Sequence, residues 1–306
     1  MIDSGRETLS TTERDRSTVG RATLDCSALD YSSFVGLVRE RNRPSGGIRT
    51  VQEVAVQARI GSHSRVLEIG SNTGFTSVNL ALLTGASVLG IDLNPDSITE
   101  AGAYAATHAV SDRVRFQRGD ACSLALPDEA VDAVWVSNVV SFVAAKQAML
   151  DEITRVLAVG GTLVAVPIYY REDPPRELVG QVSEAIGTPV DVMTKAAWRA
   201  FFESHPGLEL YYESDFAYDN RSERDIELYC DTLMSKEHLQ EYDPATRAQI
   251  RSRMASFMSL FNENLGYAGF SILLYQKRAI RDEVELFTSH PASVQRQPAM
   301  TRVGYP

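Results

Sequence analysis

The segment from Val66 to Ser77, VLEIGSNTGFTS, is the feature that most limits the folds open to this chain. A short apolar run that carries one acid, Glu68, leads into a turn with Gly70 and Gly74, and a second apolar run follows. An apolar run that ends at glycine is typical of a buried strand, and the longer run after the turn favours a helix. The segment therefore predicts a strand, a tight turn and a helix, an arrangement that often holds a cofactor.

Strands and helices alternate along the following hundred residues. Further strands are predicted at SVLGID, RVRFQRGD, VDAVWVSNVV and TLVAVPIYY. One intervening helix has Asn94 as its cap and Pro95 in its first turn, and another places Met149, Leu150, Ile153 and Leu157 inward before a glycine stop. This alternation predicts a parallel sheet with helices on both faces.

The chain is predicted to form one α/β domain with disordered ends. Residues 1–22 and 281–306 are polar and poor in aliphatic side chains, which is typical of disorder. The domain spans residues 23–280, and a charged helical insertion at about 221–264 separates its last two strands. An insertion at that point would lie over the carboxyl ends of the strands, where ligands bind, so we interpret it as a lid.

Composition excludes several classes of protein. The net charge of −10 argues against non-specific binding of nucleic acid. No apolar run approaches the ~20 residues of a membrane helix, and the N-terminus lacks the apolar core of a secretion signal. Three cysteines without CxxC spacing fit a reducing compartment. We therefore expect a cytoplasmic protein without nucleic-acid, membrane or metal partners.

The spacing of the glycines separates two cofactor classes. Dinucleotide enzymes have G-x-G-x-x-G after the first strand, whereas EIGSNTG has its glycines four apart. With an acid two residues before the first glycine, the segment resembles motif I of the class I S-adenosylmethionine-dependent methyltransferases, [E/D]-x-G-x-G-x-G. Asn72 stands where that family has its middle glycine. Asparagine is among the few other residues that tolerate a positive φ, so we expect the turn to be retained.

Later segments resemble the same family in the same order. Asp92 resembles the acid that binds the cofactor ribose, Asp120 followed by Ala121 resembles the adenine site, and Asn138 stands near the sulfonium and the acceptor. ITRVLAVGGTLVAVP and YAGFSILLYQKR resemble the fifth strand with its helix and the antiparallel last strand. The resemblance implies a doubly wound, seven-stranded, mostly parallel sheet with a helical lid between the last two strands.

The resemblance also implies the cofactor, S-adenosylmethionine, and a small-molecule acceptor, as in the ubiquinone and menaquinone branch. Arg49 is the candidate partner of the cofactor carboxylate. The residues assigned to the cofactor are Arg49, Glu68, Gly70, Ser71, Asn72, Gly74, Asp92, Leu93, Asp120, Ala121 and Asn138.

Candidates for a general base follow the fifth strand, namely Tyr169, Tyr170 and Asp173, with packing at the strand end as the alternative. None of the five histidines stands at a predicted strand tip. Residues 171–247 carry 8 Lys/Arg against 17 Asp/Glu, either as solvated helix faces or as an acidic lid. We interpret both features as favouring an N or S acceptor over O or C, in an amine-bearing or cationic substrate.

Two other functions stay open as alternatives. A nicotinamide-dependent oxidoreductase would also use an acid at the position of Asp92. A protein that binds S-adenosylmethionine on the same fold without methylating, such as a cyclase, would share every motif above. A homo-oligomer is the alternative to a monomer.

Overall fold

The computed structural model describes residues 24–26, 29 and 31–279. The predicted disordered ends, residues 1–22 and 281–306, lie outside the described residues. The helices are α1 (Tyr31–Leu37), α2 (Ile48–Gln57), α3 (Phe75–Thr84), α4 (Pro95–Thr107), α5 (Lys146–Val156), α6 (Arg176–Ile186), α7 (Lys195–Glu203), α8 (Glu223–Met234) and α9 (Pro244–Gly266). The strands are β1 (Arg65–Ile69), β2 (Ser87–Asp92), β3 (Val114–Arg118), β4 (Val131–Val136), β5 (Leu157–Ala165), β6 (Ile168–Tyr170), β7 (Leu208–Ala217) and β8 (Ala268–Lys277). Short 3₁₀ helices follow β4 and α8.

The first five strands form the parallel part of one sheet. Their order is β3-β2-β1-β4-β5, and β1 pairs in parallel with both β2 and β4. The chain therefore builds outward in one direction from β1 and then returns to build outward in the other. Reversal of the strand order at β1 and β4 opens a crevice at the carboxyl ends of these strands, which is where an open α/β sheet binds its ligand.

The remaining strands pair around β8, which runs antiparallel to its neighbours. Residues 273–276 of β8 pair with β5 and residues 268–270 pair with β6. Residues 269–277 pair with β7. Because β5 and β6 occupy different parts of β8 while β7 follows nearly its whole length, β6 extends the line of β5 beyond Pro167. The predicted α/β fold with its mostly parallel sheet is confirmed, with the fifth strand broken in two.

The helix that precedes β5 shows both a confirmed pattern and a wrong boundary. As expected, α5 buries Met149, Leu150 and Ile153. The predicted glycine stop is wrong, because α5 ends at Val156 and β5 begins at the next residue. Gly161 lies inside β5, where a Cβ atom would come within 2.8 Å of the carbonyl oxygen of Asp132. Close strand packing, rather than a helix end, explains this glycine.

Helices from both ends of the described chain build a second layer beside the sheet. The insertion predicted at 221–264 contains α8 and α9, which have side-chain caps from Ser222 and Asp243. These helices share a separate apolar core with α1, in which Phe34, Val38 and Met254 are buried. The sequence patterns did not predict α1 or α6. Among the described helices, none has both the length and the apolar character needed to cross a bilayer.

Candidate functional site

The glycine turn after β1 is pinned to the tip of β2. The N–H groups of Gly70 and Ser71 both donate to the carbonyl oxygen of Ile91 at 2.9 Å. The N–H group of Asn72 donates to Oδ2 of Asp92, also at 2.9 Å. A carboxylate has about four lone-pair sites, so Asp92 holds the turn and keeps acceptor capacity for a ligand.

Asn72 occupies the position of the middle glycine without disturbing the turn. Its φ is 43°, in the left-handed region that asparagine tolerates. Its side-chain oxygen accepts the N–H group of Thr73 at 2.8 Å, so the amide folds back onto its own turn. The expectation that asparagine retains the turn is confirmed.

Gly70 and Gly74 are required by backbone conformation and by packing. Their φ values are 74° and 84°. A Cβ atom on Gly70 would lie 2.7 Å from Cβ of Val139, and one on Gly74 would lie 2.7 Å from the ring of Phe116. Any larger residue would have to displace the chain after β4 or the side chain from β3.

Glu68 is buried beneath the turn and caps the helix that follows it. Its Oε2 accepts the N–H group of Ser77 at 2.9 Å and the hydroxyl of the same residue. Gly74, at the start of α3, has no side chain to do this, so the carboxylate from β1 serves the helix N-terminus. Burial raises the pKa of Glu68 to about 7, although hydrogen bonds from Ser77 and Thr76 oppose the shift. A cationic ligand group beside Glu68 would favour its charged form.

A cavity of about 240 Å³ opens over the turn. Its polar side consists of the turn and the strand tips, with Glu68, Gly70, Ser71, Asn72, Asp92, Ser137 and Asn138. The rest of its lining comes from the chain around α1, from the 3₁₀ helix after β4 and from the end of α6, with Tyr31, Val35, Asn42, Arg43, Pro44, Val139, Phe142, Ile186 and Thr188. Six of the predicted cofactor residues therefore meet in one cavity, to which α1 and the end of α6 also contribute.

An unpaired hydroxyl at this cavity favours a polar ligand. The hydroxyl of Ser71 is buried and has no hydrogen-bond partner among the described residues. Because a buried polar group without a partner is costly, this hydroxyl favours a ligand that pairs with it. Together with Glu68 for an ammonium group, Asp92 for a diol and a nearby guanidinium for a carboxylate, it matches the polar groups of S-adenosylmethionine.

The guanidinium at the cavity belongs to Arg43, not to Arg49. Arg49 is exposed in the first turn of α2 and is not part of the cavity lining. Arg43 lines the cavity, with its guanidinium carbon 5.3 Å from the ring centroid of Phe75. Arg43 precedes Pro44, which disfavours helical backbone for it, but this local preference does not indicate a place at the cavity.

Three of the predicted cofactor residues follow the ends of β2 and β3. Asp120 is exposed and accepts the N–H group of Cys122 at 2.9 Å. Ala121 is buried next to it, and Leu93 is 63% exposed immediately after Asp92. None of the three belongs to the cavity lining, so their contact with the cofactor stays a prediction.

The predicted bases are not brought to the cavity. Tyr170 donates its hydroxyl to Oδ1 of Asn264 at 3.0 Å, and Tyr169 packs in the core on the same strand. Burial raises the pKa of both tyrosines. Asp173 is exposed in the turn before α6. Because β6 pairs with β8, Tyr169 and Tyr170 pack at the end of the strand, which was the alternative interpretation of their pattern.

Sequence reasoning missed the apolar wall of the cavity. Tyr31 and Val35 come from α1, and Ile186 ends α6. A signal existed in α6, because Leu178, Val182 and Ile186 recur every four residues. Phe142, 47% exposed, stands at the cavity after β4.

Replacement of Glu68 by Gln should change how stability depends on pH. The folded chain keeps a proton on Glu68 that the unfolded chain releases between about pH 4.5 and pH 7. The free energy of unfolding should therefore fall as pH rises through this window, by up to about 3 kcal/mol from this residue, and Glu68→Gln should remove that part. Urea denaturation at pH 5 and pH 8 measures it. Exposed Glu177→Gln is the control, and equal pH dependence in wild type and Glu68→Gln would contradict the assignment.

Arg43→Gln should weaken binding of S-adenosylhomocysteine by about tenfold or more, because a charge-assisted bond to the ligand carboxylate is lost. Affinity for 5′-methylthioadenosine, which lacks the amino-acid part, should stay unchanged. Isothermal titration calorimetry measures both.

Arg49→Gln is the matched control and should leave both affinities unchanged. The placement of the carboxylate beside Arg43 is wrong if Arg49→Gln weakens S-adenosylhomocysteine binding and Arg43→Gln does not.

Comparison with protein families places a known domain on this site. Residues 67–165 match a family model described as a methyltransferase domain. These residues run from β1 to the end of β5 and include the turn, Asp92 and Asn138.

Curated relatives are similar to part of the chain. An uncharacterized protein of Haemophilus influenzae is 26% identical over 175 residues, 56% of this chain and 69% of that protein. Sterol 24-C-methyltransferase ERG6B of Gibberella zeae is 27% identical over 50% of this chain and 41% of its own length. A probable chloroplastic tocopherol O-methyltransferase of Oryza sativa is 34% identical over 37% of this chain and 31% of its own length. The chain thus spans less than half of each of these two methyltransferases.

Solved structures share the fold at low sequence identity. The MccD protein has a TM-score of 0.66 at 22% identity, covering 78% of this chain and 100% of that one. A Thiobacillus denitrificans S-adenosylmethionine-dependent methyltransferase, solved with S-adenosyl-L-homocysteine, has a TM-score of 0.58 at 19% identity, covering 82% and 100%.

Proposed function

We propose that this chain, whose residues 67–165 match a methyltransferase domain, transfers a methyl group from S-adenosylmethionine to a small, neutral, largely apolar acceptor. The observation that carries the proposal is the lining of the cavity, which combines polar residues of the turn and strand tips with Tyr31, Val35 and Ile186 from α1 and α6. The polar residues match the cofactor, and the apolar residues match the acceptor.

The protein contributes position and exclusion of water. When bound, S-adenosylmethionine supplies an electrophilic methyl group, so alignment of the acceptor is the main task of the protein. Asp92 would accept the ribose hydroxyls, Glu68 would hold the ammonium group and Arg43 the carboxylate. Tyr31 and Phe142 would keep water from the reacting atoms.

The cavity offers no base that is free for an acceptor, because its two carboxylates, Glu68 and Asp92, are already engaged by the turn and by α3 and are assigned to the cofactor. Its lining contains no histidine among the described residues. Burial and the neighbouring Glu40 raise the pKa of Tyr31 to about 12, so its hydroxyl keeps its proton at neutral pH. An acceptor atom that reacts without losing a proton first is therefore favoured, which includes nitrogen, sulfur and an electron-rich carbon.

Charge at the cavity argues against the cationic substrate that the acidic segment favoured. Residues 171–247 contribute only Ile186 and Thr188 to the lining, and neither is charged. An ammonium group on the acceptor would find no carboxylate from that segment. The relatives named for sterol 24-C and tocopherol O methylation add support for carbon or oxygen as the receiving atom. We favour carbon, because oxygen would need a base.

Two measurements test this function. S-adenosylhomocysteine should raise the melting temperature while NADH should not, because the glycine spacing does not match a dinucleotide turn. Asp92→Ala should abolish the shift, since it removes both the ribose acceptor and the anchor of the turn. Asp96→Ala, on the first turn of α4 beyond this network, serves as the control.

Transfer itself is measured with methyl-labelled S-adenosylmethionine and a panel of neutral alkenes, phenols, amines and thioethers. Label should appear in a neutral apolar compound. Tight cofactor binding with no transfer to any class would favour a protein that binds the cofactor without methylating, and transfer to amines alone would overturn the neutral acceptor.

A further inference from the structure

Asn138 presents an unpaired hydrogen-bond donor to the cavity. Its Oδ1 accepts the hydroxyl of Ser45 at 3.2 Å. Its amide nitrogen donates to none of the residues that the structure describes, although Asn138 lines the cavity. An asparagine amide turned this way offers N–H groups to a ligand and keeps its oxygen away from it.

A chain of hydroxyls fixes this orientation. Tyr218, which follows β7, hydrogen-bonds Ser45, and this is its one hydrogen bond within the described part of the chain. When Tyr218 donates to Ser45 and Ser45 donates to Oδ1 of Asn138, both hydroxyl protons have an acceptor, and we infer this direction for the chain. If the amide were flipped, the proton of Ser45 would compete with that of Tyr218, and one would have no acceptor.

Further contacts hold Ser45 and Tyr218 of this hydrogen-bonded chain in place. Ser45 is 6% exposed, and its carbonyl oxygen accepts the hydroxyl of Thr50 at 2.6 Å. The ring of Tyr218 lies against that of Phe270, with centroids 5.4 Å apart. Burial also raises the pKa of Tyr218, so it remains a donor at physiological pH. The three residues come from the segment before α2, the tip of β4 and the end of β7, and the fold alone brings them together.

From this geometry we propose that Asn138 is a specificity-determining residue that selects acceptors with a hydrogen-bond-accepting oxygen, and that Ser45 and Tyr218 are positioning residues acting through it. The proposal rests on the proposed function, because it concerns the acceptor side of the same cavity. It narrows the acceptor to a neutral apolar body that carries a carbonyl, ether or hydroxyl oxygen.

A pair of isosteric probes tests the proposal on protein loaded with S-adenosylhomocysteine. The probes 4′-fluoroacetophenone and 4-fluoro-α-methylstyrene differ in a C=O group against a C=CH₂ group, and fluorine NMR titration measures both affinities. The wild type should bind the ketone about fivefold more tightly, as expected for one hydrogen bond. A plain apolar cavity would instead prefer the more hydrophobic alkene.

Variants that break the hydrogen-bonded chain from Tyr218 through Ser45 to Asn138 should all lower the preference for the ketone. Tyr218→Phe and Ser45→Ala should each bring the ratio of the two affinities close to one, and the double variant should do no more than either, because they break the same chain. Tyr212→Phe is the matched control, since this β7 tyrosine bonds Glu53 at 2.6 Å and not the chain.

The outcomes separate this proposal from the function on which it rests. If S-adenosylhomocysteine raises the melting temperature and the wild type prefers the alkene, binds neither probe, or keeps its preference in Tyr218→Phe, the proposal is overturned while the cofactor site stands. Absence of S-adenosylhomocysteine binding overturns the proposed function itself.

Discussion

The site depends on one constraint, the anchoring of the glycine turn to the end of β2. Three consecutive N–H groups of the turn, from Gly70 to Asn72, are accepted by the carbonyl of Ile91 and the carboxylate of Asp92. These bonds hold Asn72, the one of the three that is not glycine and has a positive φ, in its left-handed conformation. Because the same carboxylate faces the cavity, the structural anchor and the expected ribose ligand are one residue, and its loss should remove both.

A second carboxylate links the turn to the helix behind it. One carboxylate oxygen of Glu68 caps the N-terminus of α3, where glycine offers no side-chain cap, and burial keeps the pKa of Glu68 high. The carboxyl of Glu68 therefore has a pKa close to neutral pH, and a cationic ligand group in the cavity would stabilise its charged form. Tyr31 and Val35 of α1 and Ile186 of α6 add apolar surface to the lining of the same cavity.

Much of the sheet and the turn could be predicted because their signals are local. The spacing of Gly70 and Gly74, the cap at Asn94 and the apolar runs of the strands each depend on a few neighbouring residues. The cofactor residues found in the cavity follow from the same rule, because parallel strands bring their carboxyl ends to one edge.

The rest depended on contacts between distant parts of the chain. The sequence predicted Tyr169 and Tyr170 as candidate bases at a strand tip. Only the pairing of β6 with β8 shows that both pack at the strand end and that Tyr170 hydrogen-bonds Asn264. Arg43 replaced Arg49 at the cavity because the segment before α2 crosses the turn, where Arg41 donates to the carbonyl of Thr73 at 3.4 Å. No local pattern encodes that crossing.

A crystal structure of the protein with S-adenosylhomocysteine tests the central claim most directly. The account predicts that the ligand lies along the turn, with its ribose hydroxyls within hydrogen-bond distance of Asp92 and its homocysteine end between Ser71, Glu68 and Arg43. Binding of the ligand elsewhere, or with its ribose away from Asp92, would contradict the account.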